Sequence, residues 1–162
     1  MNAPAPATLL MSGAQFRESL RRYSPNVYVD GRKIASVADE PALAPGINAI
    51  ALTYDYALEE RYAPLMTAVQ HTSGKRVNRL MHINTSTGDL LNKLEAVRLV
   101  CQETGCAQRY LTHDASNAIW QATYRIDADG SSDYHARFQA YLHRVQDEDR
   151  VLGIAMTDAK GD

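Results

Sequence analysis

A chain of 162 residues with 17 basic and 19 acidic side chains carries a net charge of −2, which leaves no electrostatic footprint for nucleic acid. It has no apolar run of membrane-spanning length, and its opening MNAPAPATLL lacks the basic segment and long apolar core of a secretion signal. The expectation is a cytoplasmic protein with no membrane or nucleic-acid partner, long enough to bury a real core.

Residues 1–12 read as a disordered Ala/Pro lead-in. From Gly13, Phe16 and Leu20 with charges between them predict a short helix capped by Ser12. Val27-Tyr28-Val29, Asp30-Gly31 and Lys33-Ile34-Ala35 form a hairpin signal, β-branched residues around a turn dipeptide. Pro41 and Pro45 punctuate the next stretch, after which Ile47, Ile50, Ala51, Tyr54 and Leu58 predict a helix over 47–62. Thr72 to Arg76 reads as a solvated loop, with no glycine-rich cradle for phosphate around it.

Thr85-Ser86-Thr87-Gly88-Asp89 is a cap cluster before a long helix from Leu90 to about Thr104. Its predicted core stripe is Leu91, Leu94, Val97, Val100 and Cys101. Two more helices are expected at about 114–125, with Asp114 as N-cap, and at 133–146. Between them Asp127-Ala128-Asp129-Gly130-Ser131 reads as a turn, since the later ligand positions of a calcium loop are missing. Val151 to Met156 reads as a strand entering a polar loop. Domain boundaries follow: a helical unit over 13–150, then over 151–162 the truncated start of a β domain. The fold class is mainly α with one small hairpin.

Reactive groups are densest from Cys106 to Asp114, a connection between helices where side chains from several elements can converge. Arg109 offers a fixed fork of donors for a carboxylate, phosphate or phenolate. Tyr110 and His113 could exchange a proton near a substrate oxygen. The plainer alternatives are a surface ion pair for Arg109, a loop surface position for His113 and the cap role for Asp114. Cys101 and Cys106, five apart on what reads as one helix, do not face each other squarely and are expected to be reduced thiols.

The closing Met156-Thr157-Asp158-Ala159-Lys160-Gly161-Asp162 resembles the Met-Thr-Asp-x-x-Gly-Asp loop of the 4-hydroxyphenylacetate 3-hydroxylase and 4-hydroxybutyryl-CoA dehydratase flavoprotein family. Similar stretches include Phe16-Arg17-Glu18-Ser19-Leu20, Ser86-Thr87-Gly88-Asp89-Leu90, Asp114-Ala115-Ser116-Asn117-Ala118 and Tyr134-His135. The resemblance implies the N-terminal helical domain of an acyl-CoA dehydrogenase-like fold. It also implies FAD, held in part by Met156, Thr157, Asp158, Lys160, Gly161 and Asp162. The dehydratase branch has Cys-x-Gln-Arg-Cys where this chain has Cys106-Ala107-Gln108-Arg109-Tyr110. Cys106 matches one thiolate of that branch's [4Fe–4S] cluster and Tyr110 replaces the other, so no cluster is expected, a phenol being a poor stand-in for a thiolate. Arg109 matches the phenol-binding arginine of the hydroxylase branch, Tyr110 approximates its tyrosine, and Gly153 falls where that branch carries a histidine. The implied function is the N-terminal part of an FAD-dependent oxidoreductase, a reduced-flavin aromatic hydroxylase fed by a separate reductase and homo-oligomeric at full length. The alternatives are a 4-hydroxybutyryl-CoA dehydratase/vinylacetyl-CoA Δ-isomerase acting on an acyl-CoA, and a non-catalytic fragment or docking module. As it stands, the chain is expected to be inactive.

Overall fold

The computed structural model describes residues 9–106, 109–130 and 132–154. Helix α1, Gly13–Arg21, starts with a reciprocal capping box: Gln15 N–H donates to Ser12 Oγ, and Ser12 N–H donates to the Gln15 side chain. Strands β1, Tyr28–Val29, and β2, Arg32–Lys33, pair antiparallel. Asp30 and Gly31 have φ of 49° and 75°, the left-handed pair that a two-residue hairpin turn requires.

Helix α2, Ala44–Leu58, starts three residues before Ile47 because Pro45 sits in its first turn, where the missing N–H costs nothing. It stops at Leu58, short of Tyr62, and a turn leads to α3, Ala63–Met66, with Pro64 in its own first turn. A continuous helix would drive the Pro64 ring into the carbonyl four residues back. Strands β3, Thr67–Val69, and β4, Arg76–Asn78, then form a second antiparallel hairpin. It was invisible in the sequence because each strand is three residues long and shows no alternation. The loop at Thr72 to Lys75 joins them, with Gly74 left-handed at φ 68°. A 3₁₀ turn, Arg79–Met81, follows β4.

Helix α4, Thr87–Thr104, is capped by Ser86 and closed by Gly105 at φ 73°. Its buried residues are Lys93, Ala96 and Val100, with Val97 and Leu99 packed beside them. The predicted stripe is therefore turned: Leu91 and Leu94 are 59% and 56% exposed. Small Ala96 lets the helix approach its neighbours closely, and Lys93 reaches across to a partner on the next helix. That helix, α5, runs Tyr110–Asp129, longer at both ends than expected, so Asp114 is inside it and is not its cap. The presumed turn at Asp127 is helical too. Its carboxylate accepts from Ser132 Oγ (2.6 Å), Tyr134 N (3.1 Å) and His135 N (2.7 Å), thereby capping α6, Tyr134–Asp147.

Among the described residues, two apolar clusters stand out in the core. One joins Leu10, Tyr56, Ala57, Met66, Leu80, Ala96 and Val100. The other joins Phe16, Ala51 and Tyr54, with Val151 packed against it; the Phe16 and Tyr54 rings stack at 5.0 Å. Gly13 lets α1 touch α2: its N–H donates to Asp55 Oδ1 at 2.7 Å, and a Cβ there would lie 2.9 Å from the Ala51 carbonyl oxygen. Residues 151–154 adopt no strand. The expected Val151 to Met156 strand has no ladder partner among the described residues, and its last two residues lie outside them. Among the described residues, no helix is long and apolar enough to cross a membrane.

Candidate functional site

The expected site splits into two neighbouring polar clusters, one at each side of the start of α5. The first surrounds Arg109, whose backbone is left-handed (φ 61°) immediately before the helix. Its side chain is fully buried. The guanidinium lies 4.6 Å above the Tyr54 ring. It donates to Thr53 Oγ1 at 3.4 Å and to the Arg150 carbonyl at 3.3 Å, and stands 3.6 Å from Asp149 Oδ1. Its Nε–H is buried and has no acceptor among the described residues. Burial pushes the Asp149 carboxyl up, against the pull of Arg109 and the Met11 N–H. Burial likewise drives the Tyr54 phenol to about 12, with Arg109 opposing.

The second cluster surrounds His113, which is fully buried and not a loop surface residue. Burial holds its pKa at about 4, with Asp114 pulling the other way, so the imidazole is neutral near pH 7. Its Nδ1 is 3.4 Å from Asp114 Oδ1, which also receives Lys93 Nζ at 2.7 Å. The same lysine lies 5.1 Å from the centre of the Tyr110 ring. Asn117 ties the cluster together, donating to the His113 and His82 carbonyls and accepting from Asn84 N–H at 2.8 Å. Beyond it, His82 Nε2 faces Asp89 Oδ1 at 3.5 Å. Burial opposes the Asp89 charge, yet donors from Thr85, His82 and Ser86 outweigh it and hold the carboxyl at about 2. An open cleft of about 620 Å³ runs beside this cluster, lined by Asn84, Leu90, Asp114, Asn117 and Trp120 among others.

Arg109, Tyr110 and His113 thus sit close together at the start of α5, but Arg109 faces α2 and the end of α6 whereas His113 faces the 3₁₀ turn. Tyr110 is half-buried between them. Cys106 is exposed and lies past the end of α4, so it does not share a helix with Cys101. The described residues contain no group of three or more His, Cys, Asp or Glu placed to hold a metal ion. This segment offers one thiol, Cys106, with Tyr110 four residues on, and a phenol is a poor stand-in for a thiolate. Met156, Thr157, Asp158, Lys160, Gly161 and Asp162 lie outside the described residues. Asp149 and Lys93 escaped the sequence reading, and Tyr54 entered it only in the apolar stripe of the helix over 47–62. Of the first two, only Asp149 left a trace there, as an aspartate at a helix end where glycine is the usual stop signal.

The family model for the N-terminal region of 4-hydroxyphenylacetate 3-hydroxylase matches residues 12–162. The chain is 41% identical over 155 residues to the 4-hydroxybutyryl-CoA dehydratase/vinylacetyl-CoA-Δ-isomerase of Clostridium aminobutyricum, covering 95% of this chain and 32% of that protein. It is 26% identical over 148 residues to the 4-hydroxyphenylacetate 3-monooxygenase oxygenase component of Thermus thermophilus, covering 91% of this chain and 30% of that protein. Among solved structures, an oxygen-tolerant archaeal 4-hydroxybutyryl-CoA dehydratase from N. maritimus superposes with a TM-score of 0.88 at 41% identity over 94% of this chain and 30% of its own. The oxygenase component of 4-hydroxyphenylacetate 3-monooxygenase, solved with FAD and 4-hydroxyphenylacetate, gives 0.65 at 24% identity over 86% and 28%, a likeness of fold. The chain spans about a third of the length of these relatives, and both relatives by sequence are enzymes. By its matched span, its helical architecture and its relatives, the chain belongs to the 4-hydroxyphenylacetate 3-hydroxylase N-terminal family, with the acyl-CoA dehydrogenase-like helical fold of that family.

Proposed function

We propose that this chain is the N-terminal helical domain of an FAD-dependent oxidoreductase, of the type that inserts one oxygen atom of O2 into an aromatic C–H bond and releases the other as water, with two electrons supplied by a separate reductase. The flavin supplies the redox chemistry; the protein supplies orientation and electrostatics. The observation that carries the reading is Arg109, a buried guanidinium whose Nε–H has no acceptor among the described residues. Such a donor fits a phenolate or carboxylate oxygen of a small substrate. Tyr110, half-buried between the two clusters, is proposed as a hydrogen-bonding group near Arg109, His113, buried and neutral, as one on the other side of the start of α5, and Met156 to Asp162 as the flavin contacts. Tyr110 in place of a second thiol supports flavin chemistry without an iron–sulfur cluster.

A second reading has its own support. Identity and superposition are both higher with the dehydratases, 41% and 0.88, than with the monooxygenase components, 26% by sequence and 0.65 by structure. On that reading the substrate is an acyl-CoA thioester. In isolation the chain is proposed to be inactive, because the remaining two thirds of each relative has no counterpart in it.

The test uses this chain together with the polypeptide that completes it, in one reading frame or as a second gene product. The purified protein is scanned for flavin absorbance, analysed for iron and sulfide, and assayed with 4-hydroxyphenylacetate in the presence of reduced FAD and O2, and separately with vinylacetyl-CoA. Flavin bands, no stoichiometric iron and product from the phenol are expected. Stoichiometric iron with turnover of the thioester sinks the hydroxylase reading in favour of the second, and absence of flavin sinks both.

A further inference from the structure

Two residues other than glycine face each other with left-handed backbones, Arg109 at φ 61° and Asp149 at φ 43°. Such conformations persist only where the surroundings over-determine them. Asp149 ends α6 in the hydrogen-bond pattern of a Schellman stop. Its N–H donates to the Gln146 carbonyl at 3.2 Å and the Arg150 N–H donates to the Val145 carbonyl at 3.0 Å. Glycine is the usual occupant of that position, because it has no Cβ to strain. An aspartate there points to a use for the carboxylate.

That carboxylate is 1% exposed with its residue and is bound from two sides. Its Oδ2 accepts the Met11 N–H at 2.9 Å, and its Oδ1 stands 3.6 Å from Arg109. The backbone takes part as well: Tyr54 Oη donates to the Asp149 carbonyl at 2.9 Å, and Arg109 donates to the next carbonyl, that of Arg150. One residue thereby joins the segment before α1, the middle of α2, the start of α5 and the chain leaving α6. No contact of the Arg109 guanidinium described above is shorter than 3.3 Å. The fork is therefore held by charge and by the Tyr54 face more than by tight bonds, and its Nε donor is left over.

We propose that Asp149 is a positioning residue, whose carboxylate at a helix stop holds the Arg109 guanidinium so that its remaining donor can meet an acceptor oxygen of the substrate. The inference rests on the reading of Arg109 as a substrate-facing group. The same contacts fix the direction of the chain at Arg150 and Val151, since Arg109 grips the Arg150 carbonyl and Val151 packs on the Phe16–Tyr54 cluster.

Two substitutions separate positioning from simple capping. Asp149→Gly keeps the left-handed stop and removes the carboxylate; Asp149→Asn keeps an acceptor for the Met11 N–H and removes the charge. In the ¹⁵N-labelled protein, the Arg109 Nε–H signal is expected to exchange with solvent at least tenfold faster in both variants. In an Arg109→Lys background, Asp149→Asn is expected to add little further destabilisation, because the partner is already altered. In the flavin-loaded enzyme both variants are expected to raise KM about tenfold while kcat changes less. An unchanged Nε–H signal in Asp149→Gly, additive destabilisation in the double variant, or a KM equal to that of the parent would overturn the proposal. If the protein carries no flavin and turns over neither substrate, the functional reading fails, while the Nε–H signal and the double variant still decide whether Asp149 holds Arg109.

Discussion

His113 stores a pH dependence in the fold. Its folded pKa of about 4 lies below the ordinary value of 6.5 because burial disfavours the imidazolium. Between those two values the unfolded chain binds a proton that the folded chain refuses, so stability falls as pH drops from about 6.5 to about 4. The upper bound is roughly 3.5 kcal/mol at about 1.4 kcal/mol per pKa unit. Denaturant titrations across that window are expected to show the decline, and His113→Gln to flatten it. The remaining slope is the balance of His82, whose pKa burial also depresses, and Asp149, whose carboxyl burial raises and which acts in the opposite sense; an unflattened curve in His113→Gln refutes the assignment. A second consequence at this scale concerns Gly13. A methyl group there meets the Ala51 carbonyl at 2.9 Å and Asp55 Oδ2 at 2.5 Å, so Gly13→Ala is expected to lower stability by about 1–3 kcal/mol. A variant with the parent's melting temperature shows that α1 can back away.

At the scale of elements, boundaries follow from whichever group satisfies the helix ends. Asp127 lies near the end of α5 yet accepts the first N–H groups of α6, which makes one carboxylate the joint between two helices. Asp127→Ala is expected to cost about 1 kcal/mol, as the loss of a cap does, and to speed amide exchange at Tyr134 and His135 while leaving α4 unchanged. Exchange as slow as in the parent contradicts that role. The helices themselves were legible where the periodicity and caps agreed, as at Ser12 and Ser86. The second hairpin was not, because three-residue strands leave no period to detect. Nor was the inward face of α4 legible. A stripe through Leu91 and Leu94 is as periodic as the true one through Lys93, Ala96 and Val100, and which of them turns inward depends on what α4 packs against.

At the scale of the whole molecule, the outward leucines dominate. Leu90, Leu91 and Leu94 on α4 and Leu111 and Ile119 on α5 are all between 45% and 59% exposed. Large exposed side chains of this kind promote association. Leu91→Glu with Leu94→Glu is expected to shift the isolated chain towards monomer in light scattering at unchanged melting temperature, since neither side chain contributes to the core. Equal association in parent and variant would mean that other surfaces drive it.

The resemblance carried by the closing Met-Thr-Asp loop and the matching stretches implied the family and a flavin, while composition, periodicity and cap residues by themselves determined the mainly helical class. They also singled out Arg109 and His113, because reactive side chains crowd the connection between two helices. Only the tertiary structure decided what those side chains face. Arg109 turns to Asp149, forty residues on, and His113 to Asn117, the 3₁₀ turn and the interior, because burial and charge pairing join residues that no local spacing links. Sequence records which groups a chain carries and how they repeat; the low dielectric of the packed interior sets which are charged, which are paired and which donor is left open.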